Sequence, residues 1–235
     1  MALGRQAVLF PLLDISPLPD DGPLRTALAQ LPRYAMVAFV SPNAIDAVFR
    51  IVDRWPAEVA LAVVGEGSRL ALARHGVTDD YARIFRPKDP ARSDSQALLE
   101  TLDLAALKGR EVLIVRGETG RELLAESLRA AGATVTPVAA YRRSAPLLDE
   151  ARREQLRGLL AVDSTWIITS SEALRHLVDM AEEVAGERGW EHLRSQRLIV
   201  PHARIQETAH LLDFRNVILT GSGDESLLAA LQCSP

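Results

Sequence analysis

Residues 38–44 read AFVSPNA and residues 167–173 read IITSSEA, and the likeness between these two stretches decides the fold. Each is an apolar, β-rich run that ends in a serine, followed by a small polar turn and a helical pattern. That is how a buried strand hands over to a capped helix. Ser41 and Ser170 lie 129 positions apart, and Ala97-Leu98-Leu99 and Ser226-Leu227-Leu228 share that offset. Between them, Val63-Val64-Gly65-Glu66 falls near Ile199-Val200-Pro201-His202 at an offset of 136, which places a local insertion there. Two landmarks sharing one offset in the same order predict two similar α/β halves.

Working outward, short apolar runs alternate with amphipathic stretches along the chain. Strands are expected at 7–13, 36–40, 60–64, 111–115, 134–141, 165–169, 197–200 and 216–219. Most are apolar throughout, as parallel strands covered on both faces are. Helices are expected at about 43–54, 66–75, 94–107, 120–131, 148–161, 171–185, 203–212 and 224–232. Gly76, Gly109, Gly132 and Gly186 stand where helices should stop. The halves need not be consecutive. The proline-bounded stretches around 11–17 and 141–146 flank the block between them, so they predict a two-stranded connection. One α/β domain would then comprise residues 1–14 plus 146–235, and the other residues 17–141, joined through 14–17 and 141–146.

The bulk properties narrow the function classes. Hydrophobic residues make up 48% and charged residues 25%, as in ordinary globular chains. No apolar run reaches the length of a transmembrane helix, and the first residues lack the pattern of a signal peptide. Cys233 is the single cysteine, so no internal disulfide is possible, and a reducing cytoplasm is expected. A net charge of −4 argues against nucleic acid as partner. Of the 27 basic residues only Lys88 and Lys108 are lysines. That bias suits forked recognition of carboxylates, and equally a genome rich in arginine codons.

In open α/β sheets ligands bind beyond the carboxyl ends of the strands, where helix N-termini present N–H groups. Four segments have that position: Ser41-Pro42-Asn43, Gly65-Glu66-Gly67-Ser68, Arg116 to Arg121 with Gly117, and Thr169-Ser170-Ser171-Glu172. Hydroxyls, amides and arginine there suit a polycarboxylate, although each serine also serves as a plain helix cap. A dinucleotide fingerprint would need glycine where Leu70 stands, and there is no phosphate-binding loop ending in Gly-Lys-Ser or Gly-Lys-Thr. The five histidines are scattered, no nucleophile elbow occurs, and neither metal nor covalent catalysis is expected.

Taken in order, PLLDISP at 11–17, FVSPNAIDAVF at 39–49, VVGEGSRLAL at 63–72, the block 109–143, WIITSSEAL at 166–174, HARIQETA at 202–209 and DESLLAAL at 224–231 resemble the uroporphyrinogen-III synthases. The most specific piece is 109–143, which runs from an arginine-glycine turn to a strand ending in Tyr-Arg-Arg. The resemblance implies two Rossmann-like or flavodoxin-like parallel-sheet domains with a cleft between them and a two-stranded linker. It implies hydroxymethylbilane as substrate, loss of water as net chemistry, and no cofactor. It points to Tyr141 as acid, to Ser41 and Ser170 as carboxylate contacts, and to Arg116 and Arg204 as further contacts. Members of the family usually begin with a strand and helix before the run matching 7–13. Met1-Ala2-Leu3-Gly4 reads like the end of that helix, so the first βα unit is expected to be missing. A monomer is expected. Competing readings are a two-domain ligand-binding or sensor protein and a nucleotide-sugar glycosyltransferase.

Overall fold

The computed structural model describes residues 6–89, 92, 94–221 and 223–232; Met1 to Gly4 and Cys233 lie outside the described residues. The chain forms two compact α/β units, Ile15–Arg143 and Met1–Asp14 with Ser144–Pro235, called here the inner and terminal units.

The inner unit is built on β1 (Asp14–Ser16), β2 (Met36–Phe39), β3 (Ala60–Val63), β4 (Ile84–Phe85), β5 (Glu111–Gly117) and β6 (Thr134–Ser144). These lie in the order β1-β6-β5-β2-β3-β4, and the pairs β6-β5, β5-β2, β2-β3 and β3-β4 are parallel. The helices are α1 (Gly22–Leu28), α2 (Pro42–Val48), α3 (Glu66–Arg74), α4 (Ser95–Leu99) and α5 (Leu123–Ala130). Alternation divides β2 cleanly. Val37 and Phe39 enter the core that holds α1, α2 and α3, while Met36 and Ala38 enter the core that holds α4 and α5. A central strand buried on both faces must be apolar at every position, which MVAF is. Counted from β2, the parallel strands run 3-2-1-4-5, the doubly wound order. Its switch point lies between β2 and β5.

The terminal unit holds a parallel sheet of β7 (Thr165–Ile167), β8 (Arg197–Val200) and β9 (Asn216–Leu219) in that order. Around it lie α6 (Glu150–Leu160), α7 (Ser171–Ser195), α8 (Ala203–Leu211) and α9 (Asp224–Gln232). Thus β2-α2-β3-α3-β4 and β7-α7-β8-α8-β9 follow one plan, three adjacent parallel strands in sequence order. The 129-residue repeat is therefore carried by matching elements, with Ser41 and Ser170 each capping the first helix.

Several boundaries differ from the expectation, each for a physical reason. Residues 7–13 are extended but form no strand. Pro11 has no N–H to give to a ladder, and the segment is held by side chains instead. Arg152 donates to the Pro11 carbonyl at 3.2 Å, Gln155 to the Leu9 carbonyl at 3.3 Å, and His176 Nδ1 lies 2.8 Å from the Leu12 carbonyl. Phe10 and Leu12 enter the terminal core, where Phe10 meets Trp166 edge-on at 6.5 Å. The expected helix 94–107 breaks after Leu99, and Asp103 accepts the Ala106 N–H to start a separate turn. At Gly132, φ is +89°, the left-handed geometry of a helix stop. Gly186, with φ of +59°, breaks α7, but the chain coils again to Ser195 and buries Leu193.

Truncating Phe10 should therefore cost about 3 kcal/mol in the terminal unit. In the Phe10→Ala variant, amide exchange should quicken across α7 and β8 and stay unchanged in β2 and β5. Native protection throughout α7 would remove residues 6–13 from that core.

Candidate active site at the switch point

The carboxyl ends of β2 and β5 define the site in the inner unit, and a local irregularity shapes it. Along β5 and β6 the pairing runs Glu111 with Thr134 up to Arg116 with Ala139. It then slips, so that Gly117 faces Tyr141. The extra residue, Ala140, is a β-bulge. Val138 and Ala140 face the core under α2, and strict alternation would turn Tyr141 to the opposite side. The bulge brings Tyr141 onto the α2 side as well. There the ring is 6% exposed, and its oxygen lies 3.1 Å from Ser41 Oγ.

Ser41 stands where it does because β2 ends and α2 begins. Its backbone is extended, Pro42 opens the helix, and its Oγ accepts the Ala44 N–H at 3.2 Å. Such a cap stabilises a helix start by about 1 kcal/mol. The slip also leaves little room beside residue 117. A Cβ on Gly117 would come within 3.1 Å of Tyr141 Cζ and 3.2 Å of its hydroxyl oxygen. The turn beyond is pinned: the Glu118 N–H donates to the Tyr141 carbonyl at 2.9 Å, and Arg142 grips the Glu118 carboxylate at 2.7 and 2.9 Å. Those hydrogen bonds hold the Glu118 carboxyl below its usual pKa. The pair's small contribution is present above the ordinary carboxylate pKa and fades as pH falls through that lowered value.

Sequence and geometry agree unevenly at the other positions. Asn43 lies on the first turn of α2, and the buried Gly65 precedes α3 with φ of 178°, extended backbone. The turn Gly65-Glu66-Gly67 comes close to Pro42, since a Cβ on Gly67 would lie 3.7 Å from the Pro42 ring. Ser41, Pro42, Gly117 and Tyr141 thus cluster, with Gly67 of the next turn beside Pro42. Arg116 is engaged with a neighbouring carboxylate. Its guanidinium pairs with Glu122 at 2.5 Å and reaches the Arg121 carbonyl at 3.4 Å. The helix expected from 120 begins at Leu123, and residues 118–122 form the loop that occupies that arginine.

In the terminal unit Thr169, Ser170, Ser171 and Arg204 gather at the ends of β7 and β8. Ser170 Oγ accepts from the Glu172 and Ala173 N–H groups at 3.2 and 3.4 Å. Thr208, a buried residue the sequence reading passed over, donates to the Arg204 carbonyl at 2.9 Å, and its oxygen lies 3.0 Å from Ser171 Oγ. Its place one turn after Arg204 was the available signal. His202 caps α8 by accepting the Arg204 N–H. The Arg204 side chain is exposed and has no ion-pair partner among the described residues. Among the described residues no group of three or more His, Cys, Asp or Glu could hold a metal ion.

With this geometry in hand, comparison with known proteins is direct. Residues 1–229 match the family described as "Uroporphyrinogen-III synthase HemD". The chain belongs to the uroporphyrinogen-III synthase family. The uroporphyrinogen-III synthase of Salmonella typhimurium is 34% identical over 98% of this chain and 92% of its own length. That of Escherichia coli is 32% identical over the same shares. Among solved structures, uroporphyrinogen-III synthetase from Helicobacter pylori aligns over 95% of this chain and 91% of its own, with a TM-score of 0.63 at 13% identity. A mutant uroporphyrinogen III synthase from Thermus thermophilus covers 99% and 92%, with a TM-score of 0.58 at 14% identity. These two share the α/β fold.

The Gly117→Ala variant should push the phenol of Tyr141 away from Ser41. Uroporphyrinogen III formation is then expected to fall at least tenfold, with the melting temperature little changed, because a small misplacement near reacting groups is costly. Full activity would show that the Tyr141 ring need not sit against Gly117.

Proposed function

We propose that this chain closes hydroxymethylbilane into uroporphyrinogen III, losing water and inverting ring D, with Tyr141 as the acid that lets the hydroxyl leave. Family membership carries the activity, a cyclising lyase step in tetrapyrrole biosynthesis. The observation that supports the acid is the bulge that turns the Tyr141 phenol to the switch point, beside Ser41. A linear tetrapyrrole with a departing hydroxyl becomes an azafulvene cation. The substituted carbon of ring D attacks it to form a spiro intermediate, which fragments and recloses. The pyrroles supply the electrons, so the protein has to fold the chain correctly and to deliver one proton.

The two units divide the work in this reading. The inner unit supplies the proton, while Thr169, Ser170, Ser171 and Arg204 of the terminal unit hold acetate and propionate groups. Support comes from Ser170: its oxygen takes two N–H groups, and its own proton has no acceptor among the described residues. The exposed guanidinium of Arg204, without an ion-pair partner among the described residues, supports it further. Pro42, Asn43, Gly65 and Gly117 shape the walls of the inner site, and Arg116 joins only when substrate displaces Glu122. The same reading takes the two units as the family's domains, linked through 14–17 and 141–146, in a cytoplasmic monomer working without cofactor. Neither nucleic acid nor membrane enters as partner. The net charge of −4 supports this, as does the lack, among the described residues, of a helix long and apolar enough to cross a membrane.

Incubation with freshly generated hydroxymethylbilane should yield the type III isomer in excess of the spontaneous type I product, resolved by chromatography. Type I alone would refute the activity. Replacing Tyr141 by Phe should lower turnover roughly 10²-fold, measured by single-turnover kinetics. Turnover at the wild-type rate would take Tyr141 out of the reaction.

A further inference from the structure

We propose that Ser41 is a positioning residue for Tyr141 and not a carboxylate ligand: its hydroxyl donates to the phenol oxygen, aims the phenolic proton at the substrate, and holds the phenolate left behind. This rests on Tyr141 being the acid.

The argument is a count of protons. A serine hydroxyl has one hydrogen to give. Ser41 Oγ accepts the Ala44 N–H at 3.2 Å and gives its hydrogen to Tyr141 Oη at 3.1 Å. A carboxylate offers only lone pairs, so a Ser41 that gives its hydrogen to the phenol has nothing left with which to bind one. Tyr141, accepting this hydrogen bond on one side of its oxygen, directs its own O–H elsewhere. The serine cannot swing away easily, because it is fixed between β2 and α2: the preceding Val40 N–H donates to the Val115 carbonyl at 3.2 Å, and the helix cap holds the other side. Ser170 occupies the matching position in the repeat, yet it meets no phenol and accepts two N–H groups instead. The duplicated serines are alike in sequence and different in task.

The proton balance closes. The Tyr141 hydrogen passes to the leaving hydroxyl, the C–O bond breaks with its electron pair on oxygen, and water departs from the substrate cation. The phenolate keeps its bond from Ser41, now charge-assisted and stronger. It regains a proton when the last pyrrole carbon to form a bond sheds its hydrogen and becomes aromatic again.

A double-mutant cycle tests this. Steady-state kinetics with hydroxymethylbilane would be measured for Ser41→Ala, Ser41→Gly, Ser41→Thr, Tyr141→Phe and the Ser41→Ala/Tyr141→Phe pair. Ser41→Gly removes the hydroxyl but preserves most of the helix-cap stability, and so guards against misfolding. Ser41→Ala and Ser41→Gly should each lower kcat about tenfold with KM nearly unchanged, the loss of one hydrogen bond to a developing charge. Ser41→Thr should recover most of kcat. Adding Ser41→Ala to Tyr141→Phe should change nothing further. A raised KM with kcat retained would make Ser41 a substrate ligand and overturn the proposal. So would an equal loss from Ser41→Ala with and without the tyrosine hydroxyl. Wild-type turnover in Tyr141→Phe is a separate failure, that of the acid assignment itself.

Discussion

One slipped residue in the β5-β6 ladder governs the geometry of the inner unit's site. A regular strand would send Tyr141 to the face under α4 and α5, away from the start of α2. Inserting Ala140 adds half a period, and the phenol arrives on the α2 side, where the cap serine waits. The slip favours Gly117, since a methyl group there would press on the ring at 3.1–3.2 Å. Arg142 and Glu118, and the Arg143 bond to the Thr119 carbonyl at 3.1 Å, fasten the turn from outside. Bulges of this kind commonly re-aim a side chain beside a functional site.

The doubly wound order explains why that place is available at all. Helices that follow β2 and β5 depart to opposite faces of the sheet, so the ends of these two neighbours are left uncovered by either connection. Behind them, Val37, Phe39, Leu113 and Val115 are buried and tightly packed, giving the donors a stiff base. The terminal unit repeats the strand-helix plan with a shorter sheet, and its cap serine carries different partners. A shared local sequence thus fixes backbone roles in both places, while the neighbouring strand decides what each hydroxyl can do.

Much of this could be read from residues alone. The cap positions of Ser41 and Ser170, the apolar strands and the likeness of the two halves follow from local rules: one residue type, one period, one helix start. The features that escaped reading depend on partners distant in sequence. Nothing in TVTPVAAYRR announces a bulge, because a slip is a property of two strands and not of one. Which carboxylate Arg116 meets is settled only when the loop brings Glu122 beside it. Residues 7–13 have a strand's composition, but Pro11 and the carbonyl bonds from Arg152, Gln155 and His176 give them another kind of anchorage. The two residues of β4 are too few to carry a period.

The terminal unit's core joins residues from both sides of the inner unit, with Phe10 and Leu12 packed among side chains from Leu156 to Phe214. During synthesis on the ribosome the inner unit has all its strands once residue 144 has emerged. By then Phe10 and Leu12 have been made and have nothing to cover them, and the core they enter is complete only some seventy residues later. The order of translation therefore imposes an order of folding, since the core that holds Phe10 and Leu12 waits for side chains as late as Phe214.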